Sequence, residues 1–385
     1  MAKAIFIGVA QAVSQVDTIT MSGTWAAADT VTIKVNARFV KYTCGAGETP
    51  TTVATALLAL CQAATAPEFK EVTWTSDGAV ITATSTAGVP VTITTSDTAA
   101  AGASSLSNVT AATGPWHWDN ILNWSTGAVP VDSVDEVYVD DPNMIIAYGL
   151  PTALTLVKLH VRTGKLGLPD RNPAGYIEYR ATRAQITCTN VLIGNQDAKG
   201  PSLCRLDLLS GASVVVVYGS GVATNAAAVD LVLNNAAATV AIISGQVAIA
   251  DGGDETSTVG TVRCSQNAAL TVGPGVTITT LTTTGNTIIS SNVTNLNVDG
   301  GTTTVVGTAT VGTATITGGT LVEKSSGTIT ALVIGPGTLD CSQDIRARTI
   351  TTTTFHRDAV INDPNNTLTY TNVVVGSDVS TIRTS

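Results

Sequence analysis

Residues Ala269–Cys341 read ALTVGPGVTITTLTTTGNTIISSNVTNLNVDGGTTTVVGTATVGTATITGGTLVEKSSGTITALVIGPGTLDC. Almost all of this is Thr, Val, Gly, Ile, Leu, Ala, Asn or Ser, and before Asp340 its only charges are Asp299, Glu323 and Lys324. β-Branched residues are stiff at χ1 and favour extended backbone over helix. Apolar positions alternate in very short runs: Val276 with Ile278, Leu296 with Val298, Ala309 with Val311, Ala314 with Ile316. Gly, Asn or Ser-Ser breaks each run after a few residues.

A strand this short buries little apolar surface by itself. Wound into coils and stacked, its inward residues sit on those of the next coil. The punctuation fits coils of roughly 17 to 22 residues. Gly300-Gly301 and Gly318-Gly319 recur about one coil apart, Gly335 follows, and Gly273-Pro274-Gly275 is echoed by Gly335-Pro336-Gly337. The expected fold is therefore mainly β: a small N-terminal α+β module followed by a parallel β-helix (β-solenoid). The competing arrangement is an antiparallel sandwich of short strands. The scarcity of Asn-Gly and Asp-Gly two-residue turns in this stretch speaks against it.

The rest of the chain agrees with that frame. In 385 residues only 4% are aromatic and 12% charged, low for a globular enzyme but natural for a thin solenoid lined with Val, Ile, Leu and Thr. A net charge of −9 without a basic stripe argues against a nucleic-acid partner, and no apolar run reaches the length of a membrane span, so membrane insertion is not expected. The amino terminus, MAKAIFIGVAQAVSQ, reads either as a weak secretory signal or as a first strand. Six scattered cysteines form no CxxC, which predicts buried free thiols rather than a metal site or disulfide framework.

Residues 1–112 read as a compact α+β module. Its strands fall near Ala4–Val9, Thr18–Met21, Thr30–Val35, Phe39–Thr43, Glu71–Thr75, Val80–Ala83 and Val91–Thr94. One helix starts after Thr51-Thr52 and runs through VATALLALCQAA to a stop at Pro67, with Val53, Leu57, Leu58 and Cys61 on one face. Ser96–Thr113, rich in Ser, Ala, Thr and Gly, reads as a linker. The pattern DTVTIKVNARFVKYTCGAGETPTTVATALLALCQ, followed by a strand pair with the G-x-x-I-x-x-T spacing of Gly78 to Pro90, resembles a module common in tailed-bacteriophage virion proteins. The resemblance covers about the first quarter of the chain and implies an anchoring role within a particle.

Residues 113–133 form a joint in which Trp116, Trp118 and Trp124 crowd together. Large rings suit a lid over the exposed core of a first coil. The segment W-x-x-x-x-N-W-S-x-G-x-V-P resembles the start of β-helical surface proteins, including planctomycete and autotransporter-type passengers. The β-helix is expected over 134–343, with strands near Glu136–Val139, Met144–Tyr148, Leu154–Val161, Ala184–Ile193, Ser213–Tyr218, Val229–Leu233, Val240–Ile243 and Gln246–Ile249. The excursion Leu166–Tyr179, LGLPDRNPAGYIEY, breaks the rhythm and reads as an interface loop. Residues 344–385 read as a C-terminal cap or inter-subunit strands. The candidate cap and interface residues are accordingly Trp116, Trp118, Trp124, Pro169, Tyr176 and Tyr179.

Chemistry is hard to find. His117, His160 and His356 have no partner at metal spacing, and HExxH, nucleophile elbow, P-loop and Rossmann motifs are absent from the sequence. Each histidine is expected to be hydrogen-bonded or solvent-facing. Paired carboxylates on adjacent coils are the one catalytic arrangement worth testing, with candidates Asp132, Asp135, Glu136, Asp140, Asp141, Asp170, Glu178, Asp251, Asp254 and Glu255. Several of them sit beside Gly or Pro as turn residues do, so no catalytic, cofactor or metal site is assigned and no enzyme is expected. The resemblance implies a non-enzymatic structural protein of a tailed-phage virion: a capsid decoration, head fibre or tail-associated fibre, bound to other virion proteins and homotrimeric. The alternatives are a receptor-binding tailspike that takes a host-surface glycan or depolymerises it, and a secreted bacterial β-helix adhesin.

Overall fold

The computed structural model describes residues 3–131, 135–152, 154–171, 174–196, 200, 203–219, 228–252, 255–379 and 383–384. Lys3–Phe6 (β1) is a strand. The module follows with Val16–Thr24 (β2), Thr30–Val35 (β3), Arg38–Thr43 (β4), helices Pro50–Ala63 (α1) and Pro67–Lys70 (α2), then Val72–Asp77 (β5), Val80–Ser85 (β6), Ile93–Asp97 (β7) and Ala101–Thr110 (β8). Two antiparallel sheets, in the orders β5-β6-β2-β8 and β4-β3-β7, share a core with α1 around Ile19, Trp25, Ile33, Leu57 and Ile81. α1 starts earlier than the sequence suggested. Thr49 is its N-cap, accepting from the Thr52 backbone while the Thr52 hydroxyl reaches back, and Pro50 takes the first helical position, where its missing N–H costs nothing.

The segment read as a linker is a strand. β8 pairs along nearly the whole of β2, from Thr24↔Ala101 to Val16↔Thr110. Its small polar residues lie on a half-exposed sheet edge, where composition alone does not separate a strand from a loop.

From Glu136–Val139 (β9) onward every pairing along the solenoid is parallel. Val293, Val311 and Ile329 stack on one face. Val298, Ile316, Ile334 and Phe355 stack on the second, and Leu321, Leu339 and Ile361 on the third. All of these are buried in one continuous core. The protein is a parallel β-solenoid of about 10 turns. The antiparallel sandwich is excluded.

Coil length is not uniform. In-register neighbours are 25 residues apart at Arg205 and Asp230, 15 at Thr282 and Asn297, and 18 at Asn292 and Thr310. Around the shortest step the interior holds Thr283 and Thr287, whose hydroxyls meet at 3.0 Å inside the core. Short coils have less room, and paired small hydroxyls satisfy each other there.

Glycines mark one corner between the second and third faces. Gly301 and Gly319 have φ of +62° and +67°, and a Cβ on Gly319 would lie 2.5 Å from the Gly300 carbonyl carbon. The echoed Gly-Pro-Gly does not mark one corner: Gly273–Gly275 turns from the third face to the first, Gly335–Gly337 from the second to the third.

Two boundaries shift. β1 is part of the solenoid, pairing parallel with β9 from Lys3↔Glu136 to Phe6↔Val139, so the module is an insertion between β1 and the coils. At the other end, residues beyond 344 continue the coils. Arg348–Phe355 pairs in parallel with Ile329–Ile334, from Thr352↔Ala331 to Phe355↔Ile334, and Leu368–Val375 pairs in turn with Arg348–Phe355. They form further turns instead of a separate cap. Val373 and Val375 extend the inward row of Thr353 and Phe355, yet each is about half exposed at 51%.

Candidate functional site

The joint closes the first coil. β1 covers the edge of β9, and residues 123–125 run along the far edge of β1: Ile7 N–H donates to Asn123 O at 2.8 Å, and Ser125 N–H to Ile5 O at 3.0 Å. Phe6, Trp118 and Trp124 belong to the solenoid core, with Trp124 edge-on to Phe6 at 5.0 Å and to Trp118 at 4.6 Å. The Trp124 indole N–H donates to Trp118 O at 2.7 Å. Trp118 and Trp124 are buried; Trp116 is 39% exposed and outside the stack.

Sequence reading missed the residue that ties this lid together. Asn123 is fully buried; its amide donates to Gly114 O and His117 O, each at 2.8 Å, and its carbonyl accepts from Ala10 N–H at 2.9 Å. It stands beside Trp124 in the quoted motif, but nothing in the sequence distinguishes it from a loop asparagine. His117 then links the lid to the module, its Nε2–H donating to Gly88 O at 2.9 Å. His160 sits 3.3 Å from Gly194 O, and burial lowers its pKa. His356 faces Asp378 at 3.3 Å. All three are engaged as expected.

The excursion folds as an antiparallel hairpin, Leu168–Arg171 against Ile177–Thr182. Its tip lies on the module. Gly175, at φ +93°, is packed so closely on buried Glu68 that a Cβ would come within 2.4 Å of the carboxylate, and Arg38 approaches Glu68 at 3.6 Å. Pro169 and Ile177 line a cavity of about 280 Å³ with Asn36, Ala37, Pro90 and Tyr148. The hairpin therefore makes an intramolecular interface, fixing the module to the rod, while Tyr176 is 61% exposed beside it. The side chains of Tyr179, Asp170 and Glu178, and the whole of Asp132 and Asp254, lie outside the described residues.

At the base of the hairpin a groove of about 530 Å³ runs along the rod. Gln185, Asp207 and Val232 stand in register on three successive coils within it, and Asn234 and Thr256 continue the wall. Gln185 donates to Asp207 at 3.1 Å. Arg183 pairs with both Asp230 and Glu255, and Arg205 donates to Asp230 at 2.6 Å. Of the carboxylates proposed from sequence, the structure brings Glu255 to this cluster and Asp251 near it, where burial and the Asp230 charge raise the Asp251 pKa; Asp140 pairs with Arg162 at 3.0 Å and Glu136 accepts from Tyr138 at 2.7 Å elsewhere. Asp230, Arg183 and Arg205 were not foreseen, since they meet only through coil stacking and the hairpin.

A second buried cluster lies near the far end. Arg348 bridges Glu323 at 2.9 Å and Asp344 at 2.7 Å, and Ser325 N–H donates to Glu323 at 2.7 Å. Burial pushes the Glu323 carboxyl up to about 7, outweighing the hydrogen bonds and the Arg348 charge. Hydrogen bonds from Arg346 hold Asp344 well below the usual carboxylate range. All six cysteines are free and buried, and burial raises Cys61, Cys204 and Cys341 to about 12.

These features define a parallel β-solenoid protein with an α+β module inserted at its closed end. No protein-family model and no curated protein matches the chain.

Proposed function

We propose that this chain is a non-enzymatic structural protein of the fibre or adhesin kind, in which the coils form a stiff spacer and the module is the anchor. The observation that carries this reading is the use of surface side chains along the rod. Thr310 donates to Asn292 at 2.8 Å, Thr317 to Asp299 at 2.6 Å, and Asn297 reaches Thr282 at 3.3 Å, each linking one coil to the next. Such ladders add stiffness along the axis. The grouped carboxylates Asp230, Glu255, Glu323 and Asp344 are engaged by guanidinium groups, which suits structure better than proton transfer.

Within that class we place the chain in the virion of a tailed phage, as a head decoration or tail-associated fibre assembled as a homotrimer on other virion proteins. The resemblance of the module is what supports this narrower reading. Quantitative proteomics of purified particles from the source tests it. Hundreds of copies per particle fit a decoration, and a handful in multiples of three fit a fibre. Absence from particles, with the chain recovered on cells, rejects the virion reading and leaves the adhesin.

A further inference from the structure

We infer that the axial groove beside the hairpin is a binding site for a neutral, extended oligosaccharide about three sugar units long. This goes beyond the structural role and stands or falls separately from the virion reading.

The shape comes from the coils. Gln185, Asp207, Val232 and Asn234, and Thr256 succeed one another along the axis, and stacked strands are about 4.8 Å apart, which gives a groove about 14 Å long. A sugar chain advances by a similar step per residue, so one coil can address one unit.

The chemistry follows from the two walls. One wall is apolar, made by Leu150, Pro151 and Leu168. The other, the row of stacked coils, offers the amides of Gln185 and Asn234, the Asp207 carboxylate and the Thr256 hydroxyl around the apolar Val232. A sugar ring presents the same pairing, with C–H faces against hydroxyl edges. Pockets that fix orientation with a few polar groups on an apolar lining are the general form of small-ligand sites.

Charge excludes the other candidates. Arg183 is held between Asp230 and Glu255, and Arg205 on Asp230, leaving Asp207 as the wall's unneutralised charge among the described residues. An anionic ligand would meet that carboxylate while both guanidinium groups are already engaged. Among the described residues no group of His, Cys, Asp and Glu has the arrangement to hold a metal ion.

Saturation-transfer NMR and calorimetry on the full chain test this with maltotriose, mannotriose, galactotriose and N,N′,N″-triacetylchitotriose, and trigalacturonate as the anionic control. At least one neutral trisaccharide is expected to bind with a Kd of roughly millimolar or tighter. Gln185→Ala with Asn234→Ala should weaken it about tenfold, as loss of one or two hydrogen bonds implies, and Asn234→Trp should block it sterically. Asn234 and Gln185 are exposed, so an unchanged melting temperature verifies that both variants fold. Binding that survives all three substitutions, preference for trigalacturonate, or no binding by any neutral trisaccharide at 10 mM (about the weak limit for such sites) overturns the proposal.

Discussion

Asn123 shows how much a single side chain carries when its neighbours are buried. Replaced by Leu, it leaves Ala10 N–H and His117 O without partners in the lid, and Gly114 O with only the 3.3 Å bond from His117 N–H. Each buried unpaired group costs about 1–3 kcal/mol, so Asn123→Leu should destabilise by several kcal/mol in denaturant unfolding. Full stability would mean that water replaces the amide. Two glycines separate strain from contact. Gly307 has φ +68° with open space around it, whereas Gly319, at +67°, faces Gly300 backbone. Gly307→Ala should cost about 1–2 kcal/mol, the penalty of left-handed backbone alone, and Gly319→Ala distinctly more. Equal melting temperatures for the two variants would count against the tight corner. The Gly-Gly pairs were plain in the sequence, but not which glycine was crowded, because crowding is set by the coil above.

At the level of elements, the hairpin 168–182 was legible as an interruption but not as a strap. Its apolar and charged residues read equally as a loop seeking a partner; the partner is Glu68 of the module, more than a hundred positions away in sequence. Gly175→Leu should lift the tip from Glu68 without unfolding the coils, and limited proteolysis should then cut within the hairpin. Protection equal to the parent chain would refute the docking. The Glu323 cluster makes the far coils pH-sensitive. The folded pKa of Glu323, about 7, lies above the ordinary 4.5, so its stabilisation is complete below about pH 4.5 and lost as pH rises through 7. Asp344 is shifted downward and acts oppositely, its contribution present above the ordinary 3.8 and lost on acidification. Thermal stability should therefore peak in mildly acidic solution, and Glu323→Gln should remove the decline between about pH 4.5 and 7. An unchanged decline in that variant would assign the effect elsewhere.

For the whole molecule, the decisive asymmetry lies between its two ends. One end is closed by β1, Trp118 and Trp124, and the other leaves Val373 and Val375 half exposed. Coils contact only their neighbours, so a solenoid opens from its weaker end. In native buffer a thiol reagent should leave the buried cysteines unmodified, and in rising denaturant Cys341 should label before Cys188. Simultaneous labelling of both would mean that the rod unfolds as one unit. The solenoid was already implied by the order of residues, because short β-branched runs punctuated by glycine have few other ways to bury their apolar side. The module helix and the free thiols were implied as well, both of them local or compositional signals. It took the folded molecule to establish that β1 belongs to the rod, that the supposed linker is a strand, that the tail adds coils, and that Arg183, Arg205, Asp230 and Glu255 converge. Those outcomes rest on register between residues far apart in the chain. Register is chosen by the stacking of whole coils, and no short stretch of sequence encodes it.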